Sequence, residues 1–127
     1  MKIQESAENY LETILILSQR IGAVRSVDLA AEMDYSKPSV SVAMKKLRES
    51  QLIHMDPSGF ILLTESGMEI AQRMYERHRF ISNFLTRIGV PPEVAIQDAC
   101  RIEHVISAES FERLKEFLRD QFQESLE

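Results

Sequence analysis

Backbone punctuation is sparse in this sequence, and that limits what it can fold into more than any other feature. Four glycines and four prolines in 127 residues leave few places to stop a helix or reverse a strand. The breaks that do exist are well marked, at Gly22, at Asp56-Pro57-Ser58-Gly59 and at Gly89-Val90-Pro91-Pro92. Between them apolar residues recur mostly at three- and four-residue steps, so the expectation is a mostly α chain with short connections.

Tyr10, Ile14, Leu17 and Ile21 form the apolar stripe of a first helix, with Ser6 as its expected cap and Gly22 as its stop. Asn9 and Glu12 lie three apart and share a face of it, which by itself reads as a solvated polar edge. A short helix follows over 26–33, then a turn at Asp34-Tyr35 and a second start at Ser36-Lys37-Pro38. In that second helix Val40, Met44 and Leu47 make the inner stripe, while Pro38, Ser41, Val42, Lys45 and Lys46 occupy the opposite side. No acidic side chain occurs between Lys37 and Arg48. A short helix, a tight turn and a second helix with a small, polar and basic outer face make a helix-turn-helix pattern. Its lysines would neutralise phosphates, and its small residues would let the helix approach base edges and thymine methyls.

Two short strand-like runs, 52–55 and 60–63, flank the turn at Asp56-Pro57-Ser58-Gly59. A hairpin directly after a recognition helix is the wing of a winged helix; its tip carries no lysine or arginine, so only a weak DNA contact is expected there. His54 reads as an ordinary strand residue.

Thr64 is the expected cap of a long helix from Glu65 to about Ile88, with Ile70, Met74, His78, Ile81, Leu85 and Ile88 on one stripe. His78 interrupts an otherwise apolar face. Another helix is expected from Glu93 to about Ile106, and Ser107 caps a last one in which Phe111, Leu114, Leu118 and Phe122 recur. That half would supply both a core and a dimer surface, because a single helix-turn-helix reads too few bases for useful specificity. The expected division is a winged helix-turn-helix DNA-binding domain over residues 1–63 and a helical metal-binding and dimerisation domain over 64–127.

The chemistry is concentrated in Cys100-Arg101-Ile102-Glu103-His104. On a helix, positions 100, 103 and 104 share a face, which brings a thiol, a carboxylate and an imidazole toward one place. All three donate to divalent transition metals. His78, on another helix, becomes a fourth candidate once this cluster is recognised.

Composition narrows the setting. A net charge of −5 argues against a protein that coats nucleic acid with its whole surface but is compatible with a local basic reader. No apolar run approaches the roughly 20 residues of a membrane span, and no basic-then-apolar signal pattern opens the chain, so no membrane partner and a cytoplasmic location are expected. A reducing cytoplasm would keep the single cysteine available as a thiol.

Taken together and in order, Glu8-Asn9-Tyr10-Leu11-Glu12, Ser36-Lys37-Pro38-Ser39-Val40, Leu63-Thr64-Glu65-Ser66-Gly67, Arg77-His78-Arg79 and the run from Asp98 to Ser107 cover nearly the whole chain. The sequence thereby resembles the diphtheria toxin repressor family of metal-dependent regulators, in particular its short, manganese-transport-regulator type. The resemblance implies a winged helix followed by a helical dimerisation lobe. It implies a homodimeric repressor that binds double-stranded operator DNA when a transition metal is bound. By position it implies Glu12, His78, Glu103 and His104 as ligands, with Cys100 and Asn9 as further candidates. Ser36, Pro38, Ser39, Ser41 and Val42 would form the base-facing group. Asn9 departs from the aspartate of manganese-type members and Cys100 from their glutamate; Cys100 instead resembles the iron type, whose accessory-site residues are replaced here by Ser82 and Ile96. The co-repressor is thus expected to be Mn(II) or Fe(II), with Zn(II) compatible with the same donors.

Two rival readings use the same residues. One is a winged-helix regulator that answers to an organic ligand or to oxidation of Cys100. The other is a metalloenzyme, which would need an open coordination position and a base beside it, with Glu12 as that base; it leaves the winged helix unexplained.

Overall fold

The computed structural model describes residues 2–122, with side chains from residue 5 to residue 120. Its elements are α1 (Lys2–Ile21), α2 (Ser26–Met33), α3 (Lys37–Glu49), β1 (Ile53–Met55), β2 (Ile61–Leu63), α4 (Glu65–Arg87), α5 (Pro92–Val105) and α6 (Ala108–Phe122). They form two compact units, Met1–Arg73 and Met74–Glu127, the boundary falling within α4.

In the first unit the helix-turn-helix follows from its caps. The Asp28 carboxylate accepts the Arg25 backbone N–H at 2.8 Å, which starts α2. Asp34 ends it in the left-handed region, φ 58°, a conformation that aspartate tolerates better than most residues. Two residues later Ser36 Oγ accepts the Ser39 N–H at 3.3 Å and starts α3, with Pro38 in the first turn. Leu29 and Ala30 of α2 and Val40, Met44 and Leu47 of α3 are buried with Leu11, Ile14 and Leu17 of α1.

β1 and β2 pair antiparallel, with Ile53 opposite Leu63 and Met55 opposite Ile61. The tip is closed by Asp56, whose Oδ1 accepts the N–H groups of Ser58 and Phe60 at 2.9 Å each. The connection between α1 and α2 also joins the hairpin: Ile61 N–H donates to the Val24 carbonyl at 2.7 Å. At the wing's base Thr64 N–H donates to the Leu52 carbonyl at 3.1 Å and Thr64 Oγ1 to the Gln51 carbonyl at 2.9 Å. The first turn of α4 packs on this backbone so closely that a Cβ on Gly67 would overlap the Leu52 carbonyl oxygen.

In the second unit Phe80, Ile81, Ala99, Phe111 and Leu118 form the core, with Phe84, Leu85, Ile102, Ile106 and Leu114 packed against it. The Phe80 and Phe111 rings meet edge to face at 5.5 Å. Ser107 starts α6 by accepting the Ser110 N–H at 3.0 Å. Phe122, assigned to the same stripe, lies outside the described side chains.

Two expectations are corrected. Ser6 does not cap α1, which runs back to Lys2 and leaves Ser6 exposed inside the helix. Residues 2–5 contain no glycine or proline, and extending a formed helix is far easier than starting one. Ile88 is not on the buried stripe of α4; it lies beyond the helix and is 57% exposed. Met74 and Ile81 of the expected stripe are buried, and Gly67, Ala71, Arg77 and Phe80 are buried with them; a stripe of large side chains passes over Gly67 and Ala71, the small residues that close packing selects.

Candidate functional site

The second unit brings three of the candidate donors together. On α5 the buried row is Ala95, Ala99 and Glu103, one residue every fourth position. Two alanines therefore place a carboxylate where a third small apolar residue would be expected, and the Glu103 side chain is 0% exposed. His78 on α4 meets it through Nδ1, 2.9 Å from Glu103 Oε1. On the other side His104 Nε2 stands 3.4 Å from Glu103 Oε2. The imidazoles are 21% and 3% exposed respectively.

These spacings suit a divalent ion. Ligand bonds of about 2.0–2.2 Å at 90–110° place adjacent donor atoms about 2.8–3.6 Å apart. Imidazole with carboxylate is also the donor class that first-row metals share. The residues present thus fit a transition metal. Cys100 occupies the neighbouring row of α5 with Ile96, and its residue is exposed, whereas Glu103 is enclosed.

Arg77, next to His78, was not singled out from the sequence as a site residue. It is buried, and its Nη1 donates to the backbone carbonyls of Glu103 at 3.0 Å and Ile106 at 2.9 Å.

In the first unit Glu12 is buried on α1. A carboxylate taken out of water needs specific compensation, from neighbouring donors or from a cation. Asn9 is half-buried and lines a cavity of about 220 Å³ with Thr13, Ile16, Glu32, Met33 and Tyr35. The Asn9 carbonyl accepts the Thr13 hydroxyl at 2.8 Å.

The proposed reading surface is also in the first unit. Lys37, Pro38, Ser41, Val42, Lys45 and Lys46 are all exposed, and Val42 keeps 56% of its surface in water. Ser36 and Ser39 bond to each other, Oγ to Oγ at 2.9 Å, so these two hydroxyls serve the start of α3. Val42 and Lys46 also border an apolar groove of about 330 Å³ shared with Ala7 and Tyr10 of α1. Burial pushes the Tyr10 hydroxyl pKa above its ordinary value, and the neighbouring Tyr35 adds to the shift. The hairpin tip carries no cation, but Arg25 stacks over the Phe60 ring at 4.3 Å and puts one at the side of the wing. Sequence reasoning missed this pair, since nothing local connects positions 25 and 60.

Two domain families match the chain. Residues 2–59 match the N-terminal DNA binding domain of iron dependent repressors, and residues 64–123 match their metal binding and dimerisation domain. The chain belongs to the iron dependent repressor family. Among its curated relatives is the transcriptional regulator MntR of Escherichia coli, 38% identical over 114 residues, covering 90% of this chain and 74% of the relative. An HTH-type transcriptional regulator of Methanocaldococcus jannaschii is 32% identical over 118 residues, covering 91% of this chain and 94% of the relative. Among solved structures, the manganese regulator SloR superposes with a TM-score of 0.79 at 33% identity, over 89% of this chain and 53% of SloR. ScaR with bound Zn²⁺ gives 0.74 at 31% identity, over 88% of this chain and 53% of ScaR. The chain thus spans about half the length of those solved proteins. Family membership carries the fold expected from the sequence: a mostly α chain with an N-terminal winged helix-turn-helix and a helical dimerisation lobe. No helix among the described residues is long and apolar enough to cross a membrane.

Proposed function

We propose that this protein is a metal-dependent DNA-binding transcriptional repressor of metal-ion homeostasis, working in the cytoplasm as a homodimer with Mn(II) or Fe(II) as co-repressor. The observation that carries the reading is Glu103, a fully enclosed carboxylate held between His78 and His104 at 2.9 and 3.4 Å. Glu103, His78 and His104 would hold the ion with Glu12, and Cys100 and Asn9 are the further donors. Residues 1–63 would read DNA and residues 64–127 would bind metal and dimerise. The role is regulatory, with no catalytic step.

When bound, the metal supplies positive charge and a cross-link among its ligands. Glu12 and Asn9 belong to the winged-helix unit and the other donors to the second, so ligation by both sets would restrict how the two recognition helices of a dimer are presented to DNA. Linkage then requires operator DNA to tighten metal binding by the same factor. On α3, Lys37, Lys45 and Lys46 would take phosphates, and Pro38, Ser41 and Val42 would face base edges, with Ser36 and Ser39 at the helix start. The names of the manganese-regulator relatives favour Mn(II), whereas a thiolate from Cys100 would favour Fe(II) or Zn(II).

The test is anaerobic titration of apo-protein with Mn²⁺, Fe²⁺ and Zn²⁺, scoring affinity for upstream DNA at fixed salt. One metal should tighten binding at least tenfold, about 1.4 kcal/mol of coupling; no change with any of them would overturn the proposal. A second reading, regulation through oxidation of Cys100, rests on the exposure of that residue. It predicts that Cys100→Ser abolishes a response to oxidant while metal changes DNA affinity little.

A further inference from the structure

Arg77 lies in the second unit with its side chain directed at main chain. Both carbonyls that accept from its Nη1 belong to the C-terminal end of α5, Glu103 in the last turn and Ile106 at the cap. The last carbonyls of a helix lack intrahelical N–H partners and present negative partial charge, so a buried cation there is favourable. The guanidinium also stands 5.4 Å over the Phe111 ring, which anchors it to α6. The next residue, His78, takes the Glu103 carboxylate. Consecutive residues of α4 therefore hold one residue of α5 twice, by its main chain and by its side chain.

We propose that Arg77 is a positioning residue for the metal site, fixing the main chain of Glu103 so that its carboxylate meets His78 and His104 before any ion is bound. The inference rests on the metal-binding reading above. A carboxylate on an untethered helix end would sample positions in which only one imidazole is within reach. Each of those positions must be given up on ligation, which lowers affinity. Two hydrogen bonds to the end of α5 remove that freedom in advance.

The experiment titrates Mn²⁺ into full-length apo-protein, counts unbound ion from its six-line EPR signal, and records the spectrum of the bound ion at low temperature. The variants are Arg77→Met, Arg77→Gln, Arg77→Lys and, as a control, Lys115→Met. Lys115 lies 5.5 Å over the same Phe111 ring and pairs with Glu76 at 2.6 Å, so its loss removes a cation from this core without touching the α5 carbonyls. Arg77→Met and Arg77→Gln should weaken Mn²⁺ binding about 10–100-fold, as losing groups that orient ligands usually does. They should also change the bound-ion spectrum while far-UV circular dichroism stays that of the wild type. Arg77→Lys can offer one ammonium to both carbonyls and should recover part of the affinity, and Lys115→Met should match the wild type. A folded Arg77→Met or Arg77→Gln variant that binds Mn²⁺ within twofold of wild type refutes the inference, as does a Lys115→Met variant that loses as much. A wild-type protein that leaves the aquo-Mn²⁺ signal undiminished overturns the metal reading itself, and the inference with it.

Discussion

Gly67→Ala tests how the wing is fastened to α4. Gly67 is in the first turn of α4, and an added Cβ there would overlap the Leu52 carbonyl oxygen, lie 3.0 Å from its carbon and touch Leu11 Cδ2 at 3.5 Å. The obstacle is backbone, so no side-chain rotation relieves it. Separating the two segments strains the Thr64 N–H bond to Leu52 and the Thr64 hydroxyl bond to Gln51, at 3.1 and 2.9 Å. Overpacking of this kind costs about 1–3 kcal/mol, and each weakened hydrogen bond adds about 0.5–1.5 kcal/mol. The sum, about 2–6 kcal/mol, is a large share of the roughly 5–15 kcal/mol that holds a domain together. Alanine's better helix propensity returns only about 1 kcal/mol. Urea titration followed by circular dichroism should show the midpoint falling with a net loss of about 1–5 kcal/mol, and DNA binding should fall with it. A loss below 0.5 kcal/mol, on the same scale, would refute the argument, because it would mean that the close approach of α4 to Leu52 is not required.

Three further outcomes are expected. His78→Ala removes the 2.9 Å contact to Glu103 from a partly exposed position. It should therefore leave the circular dichroism spectrum unchanged and abolish metal-stimulated DNA binding; a retained metal response would defeat the assignment of His78. Lys45→Ala removes one exposed cation from α3, so the slope of log affinity against log salt should become shallower by about 1 per lysine, about 2 for a dimer; an unchanged slope would place Lys45 off the phosphates. The raised pKa of Tyr10 favours its neutral form in the fold. Its contribution to stability is therefore complete below the ordinary tyrosine range near pH 10 and is lost as pH rises through the folded value. Tyr10→Phe should flatten that alkaline loss of stability, and identical alkaline limbs for the two proteins would count against the shift.

Legibility in the sequence followed the range of the interaction. The stripe of Val40, Met44 and Leu47 and the caps at Ser36, Thr64 and Ser107 are set by residues within one or two turns, and the structure has them as the pattern implies. Ser6 failed because a cap competes with simply continuing the helix, and residues 2–5 offered nothing to stop it. Arg77 could not be read, since it accepts no side-chain signature: its partners are main-chain carbonyls 26 and 29 residues further on. Cys100 shows the limit of helical periodicity. Positions 100, 103 and 104 do share an arc of α5, but Glu103, in the buried row with Ala95 and Ala99, and the His104 imidazole are covered by neighbours while Cys100 is exposed. Periodicity defines the arc and cannot say which row within it is enclosed.

That covered row is what gives the site its chemical meaning. Ala95 and Ala99 are the residues expected where a helix is closely packed, and Ala99 is part of the apolar core. A glutamate at the next position of the same row bears a desolvation cost of several kcal/mol, which a buried ion pair at best roughly offsets. For stability alone, apolar residues at 78, 103 and 104 would serve as well or better. The imidazoles at 2.9 and 3.4 Å satisfy the carboxylate in part, yet each is itself a polar group withdrawn from water. A divalent cation ligated by the three would change this balance, because its charge would act on every donor at once in a setting of low dielectric. An arrangement that adds little to stability as a structural motif would thus become strongly favourable as a set of ligands, which is the property the proposed metal-controlled switch requires.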